Sequence, residues 1–158
     1  MIEITILAVM LLAALAVGVA VRRRDGKVRA AGVRPRASAT RKRSIDETGS
    51  ARADLLASVG VTGAGPAVLH FSADWCGPCA AVRRVVADVT GQLAESPQPP
   101  LDIEVDIDAE PVLAKELNVL SLPTTFVFDS EGRERFRISG VPKVTDLRSA
   151  LEPLTIAA

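Results

Sequence analysis

Cys76 and Cys79 are the two cysteines of this 158-residue chain, and they stand three positions apart in Trp75-Cys76-Gly77-Pro78-Cys79. Thiols at that spacing can close a small disulfide ring. Where such a pair opens a helix, the first thiol meets unpaired backbone N–H groups and the positive end of the helix dipole, which favour its thiolate. Cys76 is then the nucleophile that attacks a substrate disulfide, and Cys79 attacks the mixed disulfide to release the reduced product. Gly77 permits the tight turn between them and Pro78 stiffens it. A zinc site is a poor alternative. Two thiolates supply half of a structural site, and His70, the one histidine of the chain, is a weak candidate for a third ligand. No metal and no cofactor is expected.

The elements around the pair follow from periodicity and breakers. Ala51 to Val59 reads as a helix ended by Gly60, and Gly63-Ala64-Gly65-Pro66 as a turn. Ala67 to Phe71 is an apolar run of strand length, so the cysteines follow a strand and open a helix from Cys76 to about Leu93, with Val82, Val85, Val86 and Val89 on one face. Leu101 to Ile107 alternates, with Asp102, Glu104 and Asp106 opposite the apolar face. Pro111 to Leu117 is a short helix ending near Asn118, and Thr124 to Phe128 and Arg133 to Ile138 form a hairpin about Ser130-Glu131-Gly132. Val144 to Leu154 closes the chain as a helix that Pro153 can shorten. The fold class is α/β, with no internal repeat.

Formal net charge is zero, but the charges are segregated. Residues 22–43 carry ten Lys/Arg and one acid, and residues 44–158 carry nine Lys/Arg and seventeen acids. Before both lies an uncharged apolar run, Ile4 to Val21, which as a helix would be about 27 Å long, close to the thickness of a hydrocarbon core. Glu3 and the absence of Lys or Arg ahead of the run argue for an uncleaved anchor rather than a signal peptide. The expected organisation is an anchor helix over 1–21, a flexible basic linker over 22–49 and a folded domain over 50–158. The basic flank keeps the C-terminal side in the cytoplasm by the positive-inside rule, giving a single-pass protein of the cell membrane. Nucleic-acid binding is not expected, because no aromatic residue is interleaved with the basic ones.

The sequence resembles the thioredoxin family over about Ala51 to Leu154. Beyond Trp75 to Cys79, Leu122-Pro123-Thr124 resembles the family's cis-proline loop, and Gly140 matches a glycine that lines its substrate groove. The resemblance implies a thioredoxin fold, with a mixed sheet of four or five strands; Arg36 to Gly49 offers no first strand. It also implies that Cys76 is exposed and Cys79 recessed, and that Trp75, Gly77, Pro78, Leu122, Pro123 and Gly140 form the substrate-binding surface. The departures are informative. His70 stands where the family has a buried aspartate, Glu104 where it has a lysine, and Ser72 where it often has a second tryptophan. The reading of that exchange is that His70 accepts the proton of Cys79 and Glu104 orients it.

The functional expectation is a membrane-tethered thiol–disulfide oxidoreductase, mainly a reductant, acting on protein disulfides and supplied by an upstream electron donor, either a reductase or a membrane carrier. Two alternatives stand beside it. One is an extracytoplasmic reductase of the cytochrome c maturation type, and the other is a non-catalytic adaptor for a membrane partner.

Overall fold

The computed structural model describes residues 2–22, 28–30 and 42–156. In chain order the elements are helix α1 (Ile2–Arg22), strand β1 (Val28–Ala30), helix α2 (Lys42–Ser58), strand β2 (Ala67–Ser72), helix α3 (Cys79–Gln92), strand β3 (Leu101–Asp106), helix α4 (Pro111–Glu116), hairpin strands β4 (Thr124–Phe128) and β5 (Glu134–Ser139), and helix α5 (Val144–Leu151). A single 3-10 turn, Glu152–Leu154, follows α5 where Pro153 removes a backbone donor.

The sheet has five strands in the order β1-β5-β4-β2-β3. β2 and β3 are parallel, so a crossover must join them, and α3 supplies it. The other pairings are antiparallel. β2 is buried along its whole length between β3 and β4, as the unbroken apolar run requires. The pleat then sorts its side chains. Leu69 and Phe71 join Phe126 and Phe128 in a core closed by Leu56 of α2 and by Leu113 and Leu117 of and beside α4. Val68 joins Val127 and Ile138 in a second core beneath Val82, Val86 and Val89 of α3 and Leu147 and Leu151 of α5.

β1 corrects the sequence reading, which placed residues 22–49 in a flexible linker and saw no first strand. Val28, Arg29 and Ala30 pair with Ile138, Arg137 and Phe136, making the fifth strand. Three residues show no period, and what orders them is a non-local partner, β5, together with the partly buried Val28. α2 likewise begins at Lys42 rather than Ala51, because its first half has helix-compatible residues but no apolar stripe before Leu55. Residues 23–27 and 31–41 of the expected linker lie outside the described residues.

The apolar run of residues 4–21 is taken up by α1, a helix of 21 residues. Among the described residues no helix is long and apolar enough to cross a membrane. A helix is therefore found where the anchor was expected, but the anchor itself is not, and it stays a reading of the sequence.

Candidate active site

β2 ends at Ser72, and the chain turns through Ala73 to Pro78 before α3 begins at Cys79. The turn is tied by Cys76 N–H donating to Ala73 O at 3.0 Å and Cys79 N–H donating to Cys76 O at 3.2 Å. Cys76 and Cys79 are joined as a disulfide, with Cα atoms 5.5 Å apart. The helix thus starts three residues later than the sequence suggested, and Cys76 lies in the turn facing its N-terminus. Gly77 has open space around it and is exposed, as is Pro78. Cys79 is buried at 1% exposure, and its sulfur lies 3.8 Å from Phe71 O. Cys76 is more open, but only to 9%, which corrects the expectation of an exposed nucleophile. The two sulfurs pack with Ala73 against Ile107 and Leu122, and that apolar cover hides most of the disulfide.

The surrounding rim is built from three further loops. Leu122–Pro123 is a cis peptide, placed between Ser121 and the first residue of β4. Thr124 Oγ1 donates to Ser121 O at 2.7 Å and holds that loop closed. Gly140 adopts φ +85°, a conformation that side chains rarely tolerate, and its N–H donates to Pro123 O at 2.9 Å. The two loops are therefore stitched together beside the disulfide. On the other side Trp75 is 70% exposed, and its indole N–H donates to Asp108 at 3.0 Å. Asp108 is itself oriented by its own N–H donating to the Asp106 carboxylate. Sequence reasoning missed Asp108, since nothing in the Asp106–Glu110 stretch marks which acid meets the indole.

Beneath the rim lies a polar layer on the face of β2 that packs under α3. His70 is 2% exposed, and its Nε2 is 3.1 Å from Asp102 Oδ1 on β3. The expected partner was Glu104. The backbone register does set His70 opposite Glu104, yet the Glu104 carboxylate turns to Arg83, on α3 one turn beyond Cys79, at 2.6 Å. Glu104 therefore does not orient His70, because the α3 guanidinium takes it first. Partial burial works against the Glu104 charge, but hydrogen bonds from Ser72 and Arg83, with the charges of Arg83 and His70, hold its carboxyl below the usual glutamate value. Asp102, which sequence reasoning passed over, was signalled by the alternation that put it on the same face as Glu104.

A thioredoxin family model matches residues 57–153, more than half of the chain. The chain belongs to the thioredoxin family. A thioredoxin of Aspergillus fumigatus is 40% identical over 73 residues, which is 46% of this chain and 63% of that protein. A thioredoxin of Porphyra purpurea is 35% identical over 81 residues, covering 51% and 72% of the two chains. Among solved structures, a thioredoxin variant from Halobacterium salinarum superposes with a TM-score of 0.53 at 27% identity, over 64% of this chain and 85% of that one. Thioredoxin membership and the paired cysteines together support thiol–disulfide oxidoreductase activity. In the layer under the second cysteine this chain carries the imidazole of His70.

Proposed function

We propose that this chain is a membrane-tethered thiol–disulfide oxidoreductase that works mainly as a reductant of protein disulfides. The observation that carries the reading is the Cys76–Cys79 disulfide set beside the cis Leu122–Pro123 loop. In the reduced protein the Cys76 thiolate attacks a substrate disulfide, forming a bond to one substrate sulfur and expelling the other as a thiolate that takes up a proton. Cys79 then loses its proton and attacks Cys76, closing the ring and releasing the second substrate thiol. Two electrons pass to the substrate and the disulfide is left for an electron donor to reduce. Trp75, Gly77, Pro78, Leu122, Pro123 and Gly140 surround the sulfurs and form the substrate-binding rim. His70 accepts the proton of Cys79 from the buried side.

Support for the reducing direction is the Gly77-Pro78 pair between the cysteines, the thioredoxin type, whose potential is near about −270 mV. Support for the tether is the uncharged run of residues 4–21 followed by ten basic residues, which would hold the redox domain on the cytoplasmic side. The full chain is expected to accelerate insulin reduction by dithiothreitol, and a Cys76–Cys79 potential well above the thioredoxin range would overturn the reductant assignment. Reporter fusions at Ala158 test the orientation: activity restricted to an extracytoplasmic reporter would place the domain outside.

A further inference from the structure

The polar layer beneath Cys79 carries a step further, one that rests on the reductase reading. A carboxylate only accepts hydrogen bonds, so the 3.1 Å contact with Asp102 places the proton of a neutral His70 ring on Nε2. Nδ1 is then a bare acceptor. It is buried without a hydrogen-bond partner, and so is Thr125 Oγ1; among the described residues these are the two buried side-chain nitrogen or oxygen atoms in that condition. They belong to register partners on adjoining strands, His70 of β2 and Thr125 of β4. An unsatisfied ring nitrogen is costly to hold in a core, and a reacting proton gives it a use.

We propose that His70 and Asp102 form a proton-accepting dyad for Cys79. Asp102 is the positioning residue that fixes the Nε2–H tautomer, and Nδ1 is the base. Cys79 is the first residue of α3, its sulfur lies against the carbonyl of the residue after His70, and Val68, two residues before His70 and so on the same face of β2, packs under that helix. As Cys79 attacks the mixed disulfide, its S–H proton passes to Nδ1, the Cys79–Cys76 bond forms, and the substrate sulfur leaves with the bonding pair. The resulting imidazolium is stabilised by Asp102, whose side chain is 34% exposed and so connects the buried ring to solvent. The other charged groups facing this layer are Glu104 on β3 and Arg83 on α3, which are paired to each other at 2.6 Å. β4 contributes Thr125, which carries no charge. Asp102 is thus the carboxylate in direct contact with the ring.

Single-turnover reduction of dithionitrobenzoate by the reduced full chain in detergent separates the two steps, since one thionitrobenzoate leaves when Cys76 attacks and the second when Cys79 attacks. His70→Gln is expected to slow the second release about a hundredfold at neutral pH. Asp102→Asn should slow it about tenfold and move its pH midpoint, and Asp102→Glu should recover most of the loss. Identical second-release rates and pH profiles for wild type and Asp102→Ala would overturn the dyad. The single histidine of the chain makes its nitrogen NMR signals unambiguous. Nε2–H is expected in the wild type, and an Nδ1–H tautomer would overturn the proposal without any variant having to fold. If the wild type released neither equivalent, the reductase reading would fall and the dyad's role with it; a normal first release with an unaffected second would remove the dyad alone.

Discussion

The two faces of the central sheet are produced by the same pleat, yet they are furnished differently. On one face β2 and β4 present Leu69, Phe71, Phe126 and Phe128, with Phe71 edge-on to Phe126 at 6.0 Å between ring centroids. On the other, the apolar Val68 and Val127 alternate along their strands with His70, Ser72 and Thr125, all buried. Both faces bury apolar clusters that stabilise the fold. The second has less apolar surface to contribute and holds, directly under the helix that carries Cys79, the groups that can exchange a proton. A thiol-exchange site needs a rigid floor and a titratable group, and alternation lets one strand supply both.

The sharpest way to break this division is at the sulfurs. Cys79→Ser should abolish turnover and leave Cys76 trapped on substrate as a mixed disulfide, visible by intact mass, whereas Cys76→Ser should trap nothing. Accumulation of the adduct on the Cys76→Ser variant would reverse the assigned order of the thiols.

The faces should also respond unequally to neighbouring substitutions. Phe126→Ala removes a fully buried ring and is expected to cost about 3–5 kcal/mol in chemical denaturation. Thr125→Val, one residue away, replaces an unpartnered hydroxyl by a methyl of similar volume and should stay within about 1 kcal/mol of wild type. Equal losses at the two positions would mean that both faces carry the fold alike.

How far this arrangement was legible depends on what sets each feature. β4 over Thr124–Phe128 matches its sequence reading because the strand lies between a proline loop and a turn and is buried on both sides. The cysteine turn was legible because Gly77 and Pro78 shape the backbone locally, whereas the cis-proline loop was legible only through the family resemblance, since an X-Pro pair does not by itself select the cis isomer. β1 was not, because Val28–Ala30 becomes a strand only when β5 is there to pair with it. The partner of His70 was half legible. Alternation places Asp102 and Glu104 on one face of β3, but which one reaches the imidazole is decided by Arg83, supplied by a helix whose rotation over the sheet no strand pattern reveals.

A smaller effect is expected at the hairpin, far from the sulfurs. Asp129 is 5% exposed and accepts hydrogen bonds from the N–H groups of Glu131 and Arg133 and from the Arg133 and Arg135 side chains. Burial opposes its charge, and those hydrogen bonds and the Arg133 charge more than offset it, so its carboxyl is held below the usual aspartate value. With the folded value depressed, the contribution is fully present above the usual aspartate range and is lost as pH falls through the folded value. Asp129→Asn should cost about 1–3 kcal/mol at neutral pH, and the gap from wild type should narrow on acidification. A gap that widened toward acid would contradict the depressed value.

The least effect belongs to Arg83–Glu104, the pair that separates Glu104 from the imidazole. Its side chains are 49% and 35% exposed, so solvent and salt screen most of the attraction, and Arg83→Met should cost no more than about 1 kcal/mol. Its value lies in discrimination. Freed of Arg83, Glu104 stands opposite His70 in register and becomes a second carboxylate within the same layer. If Asp102 acts through its direct contact, Arg83→Met should leave the Nε2–H signal of His70 in place and largely restore the second thiol release in an Asp102→Asn background. If the double variant stays as slow as Asp102→Asn alone, then register opposition is not enough, and the position of the carboxylate along β3 decides which acid can serve the ring.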